Sequence, residues 1–144
     1  MKIKICQPET KEDFEKYYDL RWRILREPWN QPKGTQKDEH EDRAIHVMAR
    51  VDDRVVGVGR AHFNSEEETQ IRYMAVETEY QGKGVGSSVL EELERRAREK
   101  GARYAVVNAR ENVIEFYQNN GYKIIGEAPT LFGCIHQRKM RKEL

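Results

Sequence analysis

The chain has little cysteine: two residues, Cys6 and Cys134, near opposite ends of 144. They allow no C-x-x-C pair, zinc-finger spacing or disulfide framework, and a reducing compartment is the simplest setting for them. Long apolar runs are missing as well. No segment approaches the ~20 apolar residues of a membrane span. The alternating start Met1-Lys2-Ile3-Lys4-Ile5 lacks the apolar core of a signal peptide. A soluble, cytoplasmic protein without a membrane partner is expected. A surplus of one charge is also absent: 26 Lys+Arg stand against 25 Asp+Glu, a net charge of +1. A general nucleic-acid binder would carry a basic excess, so no nucleic-acid partner is expected. With no internal repeat, low-complexity tract or interdomain linker, one compact domain is the economical organisation.

What is present is charge of both signs, 35% of residues against roughly 25% in an average domain, a balance compatible with heat stability. Hydrophobic residues, 38%, suffice for one core. Residues 2–6 alternate as a half-buried strand does. Thr10 and Asp13 form a capping box, and Phe14, Tyr17, Tyr18, Ile24 and Leu25 follow at helical spacing until Pro28. The polar stretch Trp29 to Arg43 reads as a long loop. Ala44–Val51, Arg54–Phe63 and Thr69–Val76 read as strands joined by Asp52-Asp53 and Asn64-Ser65-Glu66, connections short enough to force antiparallel neighbours.

Beyond Val76 the pattern changes. A glycine-rich turn leads into a helix ending near Lys100, with Val85, Val89, Leu90, Leu93 and Ala97 on one stripe. Glu91–Arg95, Glu92–Arg96 and Glu94–Arg98 are expected as i,i+4 ion pairs, and Gly101 as the residue that ends the helix. Ala102–Asn108 reads as a buried strand, so strand, helix and strand make a βαβ unit. A short helix over Asn112–Asn120 and strands at Tyr122–Gly126 and Cys134–Arg141 complete the order. The expected fold is α/β of mixed type: a single, mostly antiparallel sheet of six to seven strands flanked by helices.

The central motif is Gln81-Gly82-Lys83-Gly84-Val85-Gly86-Ser87, between a strand and a helix start. Glycine lets a backbone approach a ligand closely, and the first amides of a helix have no intrahelical acceptor. A phosphate or diphosphate fits there, with Lys83 adding a charge; a tight turn without a ligand is the other reading. A P-loop is excluded because Glu77 stands where its first glycine belongs, and a Rossmann fingerprint because Ser87 stands where its last one belongs.

Gln81-x-x-Gly84-x-Gly86 after Ile71-Arg72-Tyr73-Met74-Ala75-Val76, together with Asn112-x-x-x-Phe116-Tyr117-x-x-x-Gly121-Tyr122, resembles the two signatures of the GNAT family of N-acetyltransferases, and the element order resembles it along essentially the whole chain. Leu20-Arg21, Leu25-Arg26-x-Pro28, Ile45-His46, the run Asn108 to Asn112 and the tail Leu131 to Met140 resemble the ElaA-like branch of small bacterial members. There a histidine is expected at Gln137; here it sits one place earlier, as His136, on the opposite face of a strand. Cys134 takes the place of an acidic residue and receives no catalytic role.

The resemblance implies a single N-acetyltransferase domain over residues 1–144 that uses acetyl-CoA as cosubstrate, without a metal. It moves the acetyl group to a primary amine of a small molecule, peptide or protein by direct attack in a ternary complex. It implies that Met74, Ala75 and Val76 bind the pantetheine arm through their backbone. Gln81, Gly82, Lys83, Gly84, Val85, Gly86 and Ser87 would hold the diphosphate, and Asn108, Asn112 and Phe116 would flank the thioester. Strands on either side of the glycine turn are expected to splay. A backbone amide near Met74 or Ala75 would stabilise the oxyanion, and Tyr117 would be the general acid toward the departing thiolate, or a ring packing the cosubstrate. Asn112 is equally readable as a helix cap. The general base stays open between His46, His62, Glu111 and ordered water. Lys37-Asp38-Glu39-His40-Glu41-Asp42 matches no metal motif and reads as a solvated loop, or as a patch steering a cationic amine. The resemblance implies that residues 17–43 and 129–138 set the acceptor; Trp22 and Trp29 are candidates for that pocket, Trp22 equally for the core. A homodimer is a further implication of the resemblance.

Overall fold

A computed structural model of the chain describes residues 2–144; Met1 lies outside the described residues. Strand β1 (Lys4–Cys6) leads into helix α1 (Lys11–Leu25). The capping box forms: the Asp13 amide donates to Thr10 Oγ1 at 3.0 Å, and the Thr10 amide to the Asp13 carboxylate at 3.3 Å. Strands β2 (Ile45–Val51), β3 (Arg54–Phe63) and β4 (Glu68–Val76) make the antiparallel meander that their short connections demand. Helix α2 (Val85–Glu99) crosses to β5 (Tyr104–Arg110), which runs parallel to β4. Helix α3 (Ile114–Asn119) and the hairpin of β6 (Lys123–Leu131) and β7 (Ile135–Glu143) follow. The seven strands lie in the order β1-β2-β3-β4-β5-β7-β6, the mixed sheet expected. No helix among the described residues is long and apolar enough to cross a membrane.

Apolar layers lie on both faces. On one, Val85, Val89, Leu90, Leu93 and Ala97 of α2 pack against Val47, Val56, Ile71 and Val107. On the other, Tyr17 and Leu20 of α1 pack against Met48, Val55, Val58 and Ala75. Val47 and Met48 are neighbours that serve opposite layers, as strand geometry requires. Each fully buried aliphatic side chain contributes ~1.5–3 kcal/mol.

Two local expectations are corrected. On α2 only Glu92–Arg96 forms as anticipated, at 2.6 Å; Arg95 turns to Glu92 and Glu99 instead of Glu91. Glu94 lies on the inward side of the helix, where it is buried and accepts from Tyr122 Oη at 2.7 Å and Lys142 Nζ at 2.8 Å. It therefore cannot serve Arg98. The acidic loop is solvated only in part: Lys37, Glu39 and Asp42 are exposed, but Asp38 and Glu41 are not. Arg60, fully buried on β3, donates to Asp38 at 2.5 and 2.9 Å and to Glu41 at 2.7 Å. Arg21 donates to Glu41 at 3.0 Å, and Arg72 to Asp38 at 2.8 Å. These carboxylates are spent on internal cations, so the loop closes over the sheet and has no charge left on them to steer a substrate.

The sheet opens at one place. β4 and β5 pair from Glu68↔Tyr104 to Ile71↔Val107 and no further. Just beyond, the β3–β4 register skips, and Gly59 faces both Tyr73 and Met74. Tyr73 adopts φ 60°, a left-handed conformation costly for a residue with a side chain. A bulge bends its strand and raises the local twist, which accounts for the lost pairing. Gly59 permits it: a Cβ there would lie 2.5 Å from Met74 Sδ and 2.8 Å from Leu93 Cδ1.

Candidate active site

The opening between β4 and β5 is a cavity of about 790 Å³. Met74, Ala75 and Val76 form one wall and Asn108 the other, with Asn112, Phe116 and Tyr117 at the α3 side and Gln81, Gly82, Gly84, Val85, Gly86 and Ser87 at the start of α2. Two sequence segments some thirty residues apart thus meet at one cleft. Lys83 is the exception: it is exposed and its Nζ lies 5.5 Å from the Tyr80 ring, outside the lining.

The two long helices begin differently. α1 is closed by its capping box, with Glu12 and Asp13 in its first turn. α2 has Gly84 as its cap, no side-chain hydrogen bond there and no acidic residue in its first turn. Its leading amides and the positive end of its dipole are left to the cavity. Gly84 holds φ 83° with open space around its Cα, so the chain turns sharply and nothing covers the amides. Gly86 has another role: a Cβ there would come within 3.1 Å of the Phe116 ring. Its absence lets α3 close against α2. Gln81 donates to the Val76 carbonyl at 3.0 Å. Glu77 accepts from both terminal nitrogens of Arg23, at 3.1 and 2.9 Å, and these contacts hold the turn to β4 and α1.

Tyr117 is buried, 4% exposed, with its ring edge-on to Phe116 and Tyr122. Its hydroxyl makes no hydrogen bond among the described residues, and burial pushes its pKa up. It is a neutral phenol at the cavity wall. Asn112 is not a cap: it lies in a 3-10 turn over Glu111–Val113, and α3 starts at Ile114 behind Val113, without a side-chain cap. Neither tryptophan lines the cavity. Trp22 Nε1 donates to the Gln31 carbonyl at 3.0 Å, and Trp29 is exposed.

The three candidate bases also lie outside the lining. His46 Nε2 donates to the Glu41 carbonyl at 2.8 Å, which leaves Nδ1 to accept from Tyr17 Oη at 2.8 Å. His62 Nδ1 accepts from Arg60 at 2.8 Å and the ring stacks on His40 at 4.0 Å. Burial, then the charge of Arg60, pushes the pKa of His62 down to about 4. An unfolded histidine titrates near 6.5. Between about pH 6.5 and 4 the unfolded chain therefore binds a proton that the folded one refuses, and stability falls as pH falls through that window. Thermal unfolding at stepped pH should show this slope, and His62→Gln should flatten it; equal slopes for both proteins would contradict the assignment.

The far side of the cavity carries Ile24, Leu25, Arg26, Pro129, Leu131 and Gln137, which fall in the ranges 17–43 and 129–138 that the resemblance implies for the acceptor, and Tyr73 and Arg110, which sequence reading missed in this place. Arg26 and Leu25 lie at the end of α1, Arg110 at the end of β5, and nothing local to either segment marks them as neighbours.

Comparison with known proteins places this geometry. The model of the acetyltransferase (GNAT) family matches residues 14–122. The uncharacterized N-acetyltransferase YjcF of Bacillus subtilis is 25% identical over 141 residues, spanning 98% of this chain and 100% of that protein. A GNAT family acetyltransferase from Elizabethkingia anophelis, solved with acetyl-CoA bound, superposes with a TM-score of 0.79 at 18% identity, covering 99% of this chain and 98% of that one. Escherichia coli ElaA superposes at 0.78 and 16% identity, covering 99% of each chain. At such identities the structural matches speak for the fold. The family match, which spans both the uncapped start of α2 and the Tyr117 segment, carries the assignment: the chain belongs to the acetyltransferase (GNAT) family.

Proposed function

We propose that residues 1–144 act as one cytoplasmic N-acetyltransferase domain that passes the acetyl group of acetyl-CoA to a primary amine by direct attack in a ternary complex. The observation that carries this reading is the start of α2, which opens into the cleft uncapped and without an acid. Amides from Gln81 to Ser87 bind the diphosphate there. Backbone at Met74, Ala75 and Val76, beyond the last pairing of β4 with β5, binds the pantetheine arm as an added strand would be bound. Asn108, Asn112 and Phe116 flank the thioester, whose chemistry is that of an activated acyl group. A β4 amide near Met74 or Ala75 steadies the oxyanion, and the Tyr117 phenol gives its proton to the departing sulfur.

The acceptor must attack as a neutral amine. With His46, His62 and Glu111 outside the lining, ordered water takes the proton. The positive charges of Arg26, Arg72 and Arg110 at the cavity help, because nearby cations favour the neutral form of an amine.

Gly84→Asp tests the carrying observation. It sets a negative charge before the amides that should hold a diphosphate, and coenzyme A affinity should fall about 10–100-fold, equivalent to ~1.4–2.8 kcal/mol. Calorimetric titration with coenzyme A and with ATP reads this directly. Undiminished affinity in the variant, or tighter binding of ATP by the parent protein, would remove the basis of the proposal.

A further inference from the structure

Among the described residues, every buried or half-buried arginine has a carboxylate within salt-bridge distance except two. The two are Arg26 and Arg110, and both line the cavity. Arg26 is 4% exposed. It donates from Nε to the Thr35 carbonyl at 3.0 Å and from Nη1 to the Leu25 carbonyl at 3.1 Å. Arg110 donates from Nη2 to that same Leu25 carbonyl at 3.0 Å. Two guanidinium groups thus converge on one neutral oxygen, in a desolvated place, without a counter-ion. Burial, then the charge of Arg26, pushes the pKa of Arg110 down to about 10, so it remains a cation at neutral pH.

The position of the pair is informative. Through Leu25 and Thr35 it is tied to α1 and the loop that follows, on the sheet face opposite α2. The uncapped amides that would hold the diphosphate lie on the α2 face. A cation pair on the α1 face is therefore spare with respect to coenzyme A. Arg26 gives two of its five N–H donors to these carbonyls and Arg110 one, and the nearest other polar group to Arg26 is the neutral Tyr73 hydroxyl. Guanidinium pairs suit planar or tetrahedral oxyanions.

We infer that the acceptor is an amine that also bears an oxyanion, a carboxylate or a phosphate, which Arg26 and Arg110 bind on the α1 face while the amine reaches the splay between β4 and β5. This rests on the acetyl-transfer reading above and narrows its acceptor. Polycationic amines are excluded by repulsion from the same pair.

Matched acceptors isolate the anion. α-Amino acids are compared with their carboxamides, and O-phosphoethanolamine with ethanolamine, with spermidine as the polycation; release of free thiol from acetyl-CoA is followed. The carboxylate arm and the phosphate arm separate the two sources of the anion. In at least one arm the anionic member should be favoured in kcat/KM by about 10–100-fold, the range of charge-assisted hydrogen bonds. Arg110→Gln should raise KM for that acceptor by a similar factor, change the uncharged partners far less and leave coenzyme A affinity unchanged; Arg110→Lys should recover part of the loss. Equal or better use of the amides, ethanolamine or spermidine would overturn the inference, as would an Arg110→Gln effect equal for charged and uncharged partners. If no amine in the set reacts, calorimetry of the same amino acids and O-phosphoethanolamine against the coenzyme A complex decides: heat lost in Arg110→Gln supports the pair, and no heat from any of them rejects it. A protein that binds no coenzyme A ends the acetyl-transfer reading itself, a distinct result from a coenzyme A binder indifferent to the anion.

Discussion

Arg60→Leu is expected to destabilise the protein by about 3 kcal/mol, the lower end of the cost of breaking a buried ion pair. Arg60 is wholly buried and donates to Asp38, Glu41 and His62 at once. Leucine fills much of its volume but leaves two buried carboxylates short of a partner. The cost stays at the low end because Asp38 keeps Arg72 and Glu41 keeps Arg21. Burial opposes ionisation of Asp38, but Arg60, the His40 amide and Arg72 overcome it and hold its carboxyl well below the usual range. A depressed carboxylate stabilises the fold above its unfolded pKa of about 3.9 and loses that contribution as pH falls below it. The penalty of Arg60→Leu should therefore be full at pH 7 and shrink at pH 3. Urea unfolding at both values measures this; a penalty under 1 kcal/mol at neutral pH, the size of a surface pair, would show that the network carries little stability. The consequence reaches the site, because the loop this network clamps also supplies the Thr35 carbonyl that holds Arg26.

Tyr117→Phe should lower kcat about 10–100-fold, at the low end of general acid catalysis. The substitution removes one oxygen that has no hydrogen-bond partner among the described residues, from a ring already packed against Phe116 and Tyr122. Folding stability and coenzyme A affinity should stay close to those of the parent, so a rate loss reads chemistry. The effect stays modest for two reasons. A thiolate leaves fairly well unaided, and a tyrosine near pKa 10 protonates a thiolate near 8.5 only at a cost of ~2 kcal/mol. Burial raises the Tyr117 pKa further, so the desolvated site must raise that of the sulfur as well for transfer to be efficient. A donor whose thiol is more acidic should narrow the gap between the two proteins. An unchanged kcat with acetyl-CoA would reduce Tyr117 to a packing residue.

The misreadings share a cause. Lys37 to Asp42 looks like solvated charge when read along the chain, because the arginines that take up Asp38 and Glu41 stand on α1, β3 and β4, 19 to 34 positions away. Helical spacing alone pairs Glu94 with Arg98, while its real partners, Tyr122 and Lys142, arrive from other elements. β6 runs on to Leu131, past the Gly126 expected, because Glu127, Ala128 and Leu131 pair with β7 without showing an apolar alternation of their own.

Local order was legible from residues a few places apart. Thr10 and Asp13 start α1, period-two alternation sets the meander, and Gly84 opens α2 without a cap, because each depends on backbone geometry and neighbours within one turn or one pleat. The functional cleft was not of that kind. Pairing of β4 with β5 ends where the Tyr73 bulge meets Gly59, Tyr117 is buried by packing against Phe116 and Tyr122 and its place in the core, and Arg26 meets Arg110 through the Leu25 carbonyl, 85 positions from Arg110. Such features arise when distant segments compete for the same space and the same partners, a competition settled only once the whole sheet is assembled.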